Sequence, residues 1–405
     1  MLQKPPSSMK STDRIPPWHI LPVIVFAQFA GTSLWFAGNA VAADLQREFA
    51  LHEGALGNLI SAVQFGFITG TLIFAFLSVA DRFSPARVFL FSAFAGAIFN
   101  ICVIWLASGL TSLLAFRFLT GFFLAGIYPV GMKISSDWYG KGLGKALGYL
   151  VGALVLGKAF PFLLKAFAGG ASWQAILLAT SGTAAAGGLL LYLTVGDGPN
   201  RRPAPRFEWD VIPKIFRFSE FRSAAFGYFG HMWELYAFWT FIPVMLAAFN
   251  SLNGQSVPVS GWSFAIIGMG ALGCVAGGYI SLKAGSPKVA FFMLLTSGLL
   301  CLLSPLLFHL PEPVFLAAVL IWGFAVVGDS PQFSTVVART APPEYIGTAL
   351  TIVNCIGFAL TIFSIQLLNH LGQWMGPQWW FLFLVPGPVF GLLHIRKVMG
   401  ERVRG

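Results

Sequence analysis

Predominantly apolar stretches long enough to cross a lipid bilayer recur along almost the whole chain, and no other feature limits its fold so tightly. A bilayer core takes about 20 such residues per helix. Runs of that kind occupy 19–43, 56–80, 87–108, 112–133, 143–167, 173–195, 223–248, 261–282, 289–309, 314–337, 346–368 and 378–395. In hydrocarbon every backbone N–H and C=O must find its partner internally, so such spans are helical. The expected fold is all-α and transmembrane. Of 405 residues, 57% are hydrophobic and only 10% charged, against about 25% charged in soluble domains. Polar surface that sparse cannot cover a protein in water, so the lipid bilayer is the first expected partner. The net charge of +10 would suggest nucleic acid in a soluble chain. Here it is read by location, and no nucleic-acid partner is expected.

The connections between spans are short except 196–222, which is Pro-rich and basic (Pro199, Arg201, Arg202, Pro203, Pro205, Arg206). It divides the chain into a tail (1–17), a six-helix unit (18–195), the linker (196–222), a second six-helix unit (223–395) and a closing tail (396–405). Lys and Arg concentrate on the cytoplasmic side of membrane proteins. With the N-terminus inside, that side holds Lys4, Lys10, Arg14, Arg82, Arg87, Lys133, Lys141, Lys145, the linker cations, Lys283, Lys288, Arg339, Arg396, Lys397, Arg402 and Arg404. Only Arg47 and Lys165 fall toward the opposite side, and Arg117 and Lys158 within spans. Both termini are therefore expected in the cytoplasm, in a plasma membrane such as the bacterial inner membrane. The polar first 17 residues lead into a full-length span without a small-residue cleavage site, so no cleaved signal peptide is expected. Cys102, Cys274, Cys301 and Cys355 stand singly in apolar stretches and read as buried, reduced thiols.

The two halves repeat. Gly121-Phe-Phe-Leu-Ala-Gly126-Ile-Tyr-Pro129 matches Gly323-Phe-Ala-Val-Val-Gly328-Asp-Ser-Pro331, 202 residues on. Asp81-Arg-Phe-Ser84-Pro85 matches Lys283-Ala-Gly-Ser286-Pro287 at the same offset, and Gly144-Lys-Ala-Leu147 recurs as Gly347-Thr-Ala-Leu350. Matches at nearly one spacing imply duplication of a six-helix unit.

With this organisation the chain resembles the major facilitator superfamily over nearly its whole length. The family's loop between helices two and three is similar to Leu77-Ser-Val-Ala-Asp81-Arg82-Phe-Ser-Pro-Ala-Arg87 here, although Leu77 and Ser84 replace glycines. The resemblance implies a gating loop of Asp81, Arg82 and Arg87 that staples cytoplasmic helix ends together. A carboxylate among guanidinium groups and helix termini suits a breakable latch. Arg117-Phe-Leu-Thr-Gly121 matches the family's Arg-x-x-x-Gly in helix four. The Gly-Pro motif of drug antiporters in helix five and the paired arginines of nitrate porters are missing. The resemblance implies a twelve-helix fold of two pseudo-symmetric bundles, alternating access, and helices one, four, seven and ten around a central cavity.

Ionisable groups at membrane depth are costly unless paired or hydrated, and mark function. Arg117, Lys158, Glu234 and Asp329 stand out. Arg117 and Lys158 lie at similar depth on neighbouring helices and could clamp a carboxylate or other oxyanion. Their long side chains could instead snorkel to the interface. Glu234 is near the middle of its span with His231 one helical turn earlier, a pairing suited to handling protons. A salt bridge to Lys158 or Arg117 is the alternative for Glu234. Asp329 precedes Ser330-Pro331, where a bend frees backbone carbonyls. Its repeat counterpart is Ile127. Helix one offers Gln28, Trp35 and Asn39, and Trp233, Tyr236 and Tyr128 are further cavity candidates.

The expected substrate-binding residues are Arg117, Lys158, Glu234, Asp329, Tyr236, Trp35 and Gln28, and the proton carriers are Glu234, His231 and Asp329. Together with the resemblance these point to a secondary active transporter of a small polar solute, an organic anion, coupled to protons. The rival is a proton-coupled exporter of amphipathic compounds, and behind it a metal importer using His231, Met232, Met132 and Met269. No nucleophile–base cluster appears beyond His231, so no enzyme is expected, nor a cofactor or bound metal. The expected assembly is a monomer.

Overall fold

The computed structural model describes residues 16–399 except 53, 140–142, 168–171 and 202–208. Of the basic residues that orient the chain, Lys4, Lys10, Arg14, Lys141, Arg202, Arg206, Arg402 and Arg404 lie outside the described residues. Eleven helices are long and apolar enough to cross a membrane, and the shorter apolar helix Ile20–Thr32 precedes them. They are α1 (Ile20–Thr32), α2 (Ala55–Phe76), α3 (Pro85–Leu106), α4 (Leu110–Trp138), α5 (Leu143–Phe167) and α6 (Trp173–Thr194) in one half. The other half holds α7 (Ser219–Asn253), α8 (Val259–Ala284), α9 (Ser286–Leu307), α10 (Glu312–Thr340), α11 (Ile346–Leu371) and α12 (Pro377–Met399). No strand occurs among the described residues. The all-helical, two-bundle transmembrane architecture read from the sequence is the one that forms.

Three helices are broken, and the breaks position the site. The first span does not run unbroken over 19–43 as expected. After α1 the backbone is irregular across Ser33–Phe36, then continues as the short helices Ala37–Ala40 and Ala42–Glu48. α4 breaks between Leu110–Leu124 and Tyr128–Trp138, and α10 between Glu312–Gly328 and Ser330–Thr340. In α4 and α10 the second segment carries proline at its second residue, Pro129 or Pro331. Proline has no N–H for a preceding carbonyl but suits the first turn of a new helix, so the repeated proline restarts the helix at the same place in each half.

The repeated glycines are equally structural. A Cβ on Gly121 would collide with the Val63 carbonyl of α2, and one on Gly323 with the Ile266 carbonyl of α8. Each half therefore seats its fourth helix directly on the backbone of its second. Between halves, α5 packs along α8 and α2 along α11. These two seams enclose the centre of the molecule. Below, the end carrying both tails is the tail end and the opposite one the far end.

Candidate functional site

Where α1 breaks, its carbonyls lose their helical partners, and Arg117 of α4 supplies replacements. Arg117 Nη2 donates to the Leu34 and Trp35 carbonyls at 3.2 and 2.6 Å, and Nη1 to Asn100 Oδ1 of α3 at 3.0 Å. Asn100 Nδ2 in turn donates to Ser181 Oγ of α6 at 3.0 Å. A charged donor on bare carbonyls, itself 1% exposed, makes irregular backbone tolerable at this depth. Arg117 does not snorkel, and these bonds fix the course of α1.

The ring of Trp35 faces the opposite way, toward Lys158 of α5. Lys158 Nζ lies 4.1 Å from the Trp35 ring centroid, 4.3 Å from that of Tyr236 and 4.9 Å from that of Trp239, and donates to the Tyr236 hydroxyl. Aromatic faces attract a cation through their quadrupole, more strongly when water is excluded. Lys158 is 1% exposed, and no carboxylate lies within ion-pair distance of it among the described residues. Tyr236 and Trp239 belong to α7, so the cage closes across the two halves. Phe67 and Phe358 pack behind it, 4.8 and 5.8 Å from the Trp35 ring. Trp35 Nε1 donates to Gln64 Oε1 of α2 at 3.0 Å, and Gln64 Nε2 donates to Thr361 Oγ1 of α11, also at 3.0 Å.

The acidic groups sit inside the second half, away from this cage. Glu234 Oε2 accepts from Ser297 Oγ of α9 at 2.8 Å, with Cys301 Sγ at 3.3 Å, while Oε1 has no protein partner. His231 Nδ1 lies 2.9 Å from Asp329 Oδ1, in the α10 break, and both side chains are fully buried. His231 thus pairs with Asp329 rather than with Glu234, the partner its spacing suggested. On α7 the two side chains leave toward different helices, α10 for His231 and α9 for Glu234. Glu234 makes no bridge to Lys158 or Arg117. Gln28 is buried with both amide atoms unpartnered. Trp233 turns to α12 instead, donating to the Phe383 carbonyl at 3.4 Å.

Neither the cage nor these acids line the two cavities at the ends of the molecule. At the far end a cavity of about 590 Å³ opens between the halves, with Asn39, Phe162, Lys165, Phe241 and Asn369 among its walls. Phe162 is one turn along α5 from Lys158, which puts the cage about 6 Å below that wall. Beside this cavity α2 and α11 are tied by Gln366 Nε2 to Asn58 Oδ1 (3.2 Å) and Ser61 Oγ (2.9 Å), and by Asn369 Nδ2 to the Gly54 carbonyl (2.9 Å). At the tail end a cavity of about 210 Å³ separates Asp81 and Lys133 from Gly347 and Thr348 of α11.

The loop after α2 is held within its own half. Asp81 pairs with Lys133 of α4 at 2.9 Å. Asp197, beyond α6, accepts from Ser84 Oγ at 2.7 Å and from Arg201 Nη1 at 3.0 Å. Arg201 Nη2 also donates to the Asp81 and Phe83 carbonyls at 3.1 and 2.8 Å. Arg82 and Arg87 are exposed. Lys133 and Arg201 are thus two of the cations that hold this loop.

The sequence offered Lys158, Tyr236 and Trp35 for one site, and the three lie together, while Arg117, offered beside Lys158, meets the Trp35 backbone. Sequence reasoning passed over Asn100, Gln64, Trp239, Thr361, Ser297, Cys301 and Arg201. Asn100 and Gln64 are uncharged amides at membrane depth, and that was the available signal.

Among solved structures the chain is similar to the bacterial homolog of the human lysosomal transporter Spinster in its inward-facing, unoccupied conformation. The TM-score is 0.68 at 16% identity, over 93% of this chain and 96% of that one. The same protein in its inward-facing, occupied conformation gives 0.62 at 16% identity, over 93% and 95% of the two chains. The nucleoside transporter NupG gives 0.70 at 13% identity, over 94% and 100%. No curated protein matches the chain by sequence. The Major Facilitator Superfamily profile matches residues 23–365, and with that span, the twelve helical crossings and the duplicated halves, the chain belongs to the Major Facilitator Superfamily, an integral membrane transporter and not an enzyme.

Proposed function

We propose that this transporter moves a small organic anion by alternating access, coupled to protons, and that Lys158 in its cage of Trp35, Tyr236 and Trp239 is the anion site. The carrying observation is a buried ammonium with aromatic and phenolic neighbours but no carboxylate of its own. A carboxylate entering from the far-end cavity supplies the missing charge, and the flat rings favour a planar or apolar remainder. The Tyr236 hydroxyl, accepting from Lys158, retains its own proton to donate to the ligand. Arg117 contributes by fixing Trp35. Gln28 and Asn39, with unpartnered amides along the first span, extend the site.

Glu234 and the His231–Asp329 pair are the proposed proton carriers. Glu234 lies two residues from Tyr236 on α7, so a change in its charge acts on the helix that closes the cage. Asp81, with Arg82 and Arg87, forms the proposed tail-end latch. The basic residues at that end favour termini in the cytoplasm of a cell whose plasma membrane holds the protein as a monomer.

Uptake of a panel of small organic anions into proteoliposomes, with and without an imposed pH gradient, tests this reading. Accumulation driven by the gradient and abolished by Glu234→Gln is expected. Anion uptake that ignores the gradient and survives that substitution rejects the coupling. Binding indifferent to Lys158→Met rejects the site.

A further inference from the structure

A third cavity, about 350 Å³, opens on the side of the molecule along the α5–α8 seam, toward the tail end. The seam is a wedge. At Gly152 a Cβ would sit 3.7 Å from the Ala271 carbonyl, ordinary contact distance, so the two helices touch there. One turn toward the tail end, Gly148 and Gly278 face open space, with nothing within 4 Å of a Cβ on either. Tyr149 and Tyr279 pair across the gap, and Leu282 is 82% exposed at its rim. Lys145, exposed at the mouth, leans toward the Tyr149 ring with its Nζ 6.0 Å from the centroid. Lys283 stands next to Leu282 at the end of α8.

We propose that this wedge is a binding site for one anionic phospholipid, an acyl chain lying over Gly148 and Gly278 and the phosphate meeting Lys145. The floor is apolar and opens sideways, in a chain whose surroundings are hydrocarbon, which suits an acyl chain. The polar groups gather at one end only, where a headgroup sits. The paired tyrosines add hydroxyls to an otherwise apolar wall, the amphipathic character of interfacial aromatics. Among the described residues the mouth carries lysine and no acid, so charge selects an anionic headgroup over a zwitterionic one. A lipid seated there holds α5 and α8 apart at the tail end, on one of the two seams where the halves meet.

The test uses the full-length protein in nanodiscs of mixed phosphatidylglycerol and phosphatidylcholine. After extraction into detergent, retained lipid is counted by native mass spectrometry. Wild type should retain one phosphatidylglycerol in preference to phosphatidylcholine. Lys145→Gln should reduce that preference about fivefold, the worth of one basic residue at an anionic membrane. Gly278→Leu should abolish retention of either lipid by filling the wedge. Equal retention of both lipids by wild type, or full retention by both variants, overturns the proposal. A second measurement needs no variant: phosphatidylglycerol with a photoreactive acyl chain should label wild type within 145–152 or 274–282. Labelling confined to other segments overturns the proposal as well.

Discussion

Arg117 and Lys158 both act on Trp35, one through its backbone and the other through its ring. Arg117 Nη2 holds its carbonyl at 2.6 Å, and Lys158 Nζ lies 4.1 Å from its ring. One cation builds the cage and the other sits in it. That division sets different expectations for their substitution. Arg117→Ala leaves the Leu34 and Trp35 carbonyls and Asn100 Oδ1 without a donor, each buried acceptor costing about 1–3 kcal/mol. The variant should unfold at a clearly lower temperature in detergent, whereas Lys158→Met, which removes a buried charge, should be as stable as wild type or more so. Equal destabilisation by the two substitutions contradicts the division.

Lys158 substitutions should instead appear in transport. A charged hydrogen bond to a ligand is worth about 1.5–3 kcal/mol, so Lys158→Met should weaken anion binding roughly 10- to 100-fold. Lys158→Arg keeps the charge but places a planar fork among three rings, and should recover only part of the loss. Titration of intrinsic tryptophan fluorescence checks both, because Trp35 and Trp239 are members of the cage.

Much of this was legible in the sequence, and the misreadings have physical causes. Hydropathy fixes where spans lie because bilayer thickness is constant. The repeat fixes the halves because duplicated glycines and prolines keep the same backbone contacts, Gly121 on Val63 and Gly323 on Ile266. Charges at depth were visible as candidates, since few residues tolerate that position without purpose. Their partners were not visible. Direction around a helix axis depends on where neighbouring helices stand, and that sent His231 to Asp329 and left Glu234 with Ser297 and Cys301. The break in α1 was hidden too. Ser33–Phe36 is apolar enough to read as helix, and only a guanidinium arriving from α4 makes the broken backbone stable there.

The His231–Asp329 contact should be measurable as a coupling. Asp329→Asn and His231→Gln each leave a buried polar partner alone, and the double variant leaves neither. If the two act as a pair, the stability losses of the two single variants should sum to more than the loss in the double variant, by an interaction term of about 0.5–3 kcal/mol. Strict additivity shows that the 2.9 Å approach carries no energy.

The far-end tie between the short helix Ala42–Glu48 and α5 predicts a pH dependence. Asp44 lies 2.7 Å from Lys165 Nζ and 2.5 Å from Arg47 Nη2. Burial alone would raise its carboxyl, but the two cations outweigh it and hold the group below the usual carboxylate value. A depressed carboxylate contributes stability that is fully present above the ordinary value of 3.8, and is lost as pH falls through the folded-state value. Asp44→Asn should therefore be less stable than wild type at pH 7, by a small margin because the pair is partly exposed. The two should converge in acid, once pH has fallen below the folded-state value. Chemical unfolding at pH 7 and in acid measures this, and a gap that widens in acid contradicts the assignment.

Gln64 should transmit the state of the cage to the far-end seam. Its carbonyl oxygen accepts from Trp35 and its amide nitrogen donates to Thr361, so one side chain reads the cage and grips α11. Replacing it by leucine keeps the volume but removes both bonds, leaving the Trp35 N–H and the Thr361 hydroxyl without that partner. Glutamate accepts from Trp35 and can also accept from Thr361 by rotation of that hydroxyl, at the cost of a buried charge. With a single cysteine introduced at Asn369, on the wall of the far-end cavity, thiol labelling should slow when a bound anion closes the seam in the Gln64 parent. In Gln64→Leu labelling should be faster at rest and lose at least half of its response to the anion, even where the anion still binds. Labelling that responds fully in Gln64→Leu places the coupling elsewhere in the α2–α11 seam, with Gln366 and its bonds to Asn58 and Ser61 as the next residues to change.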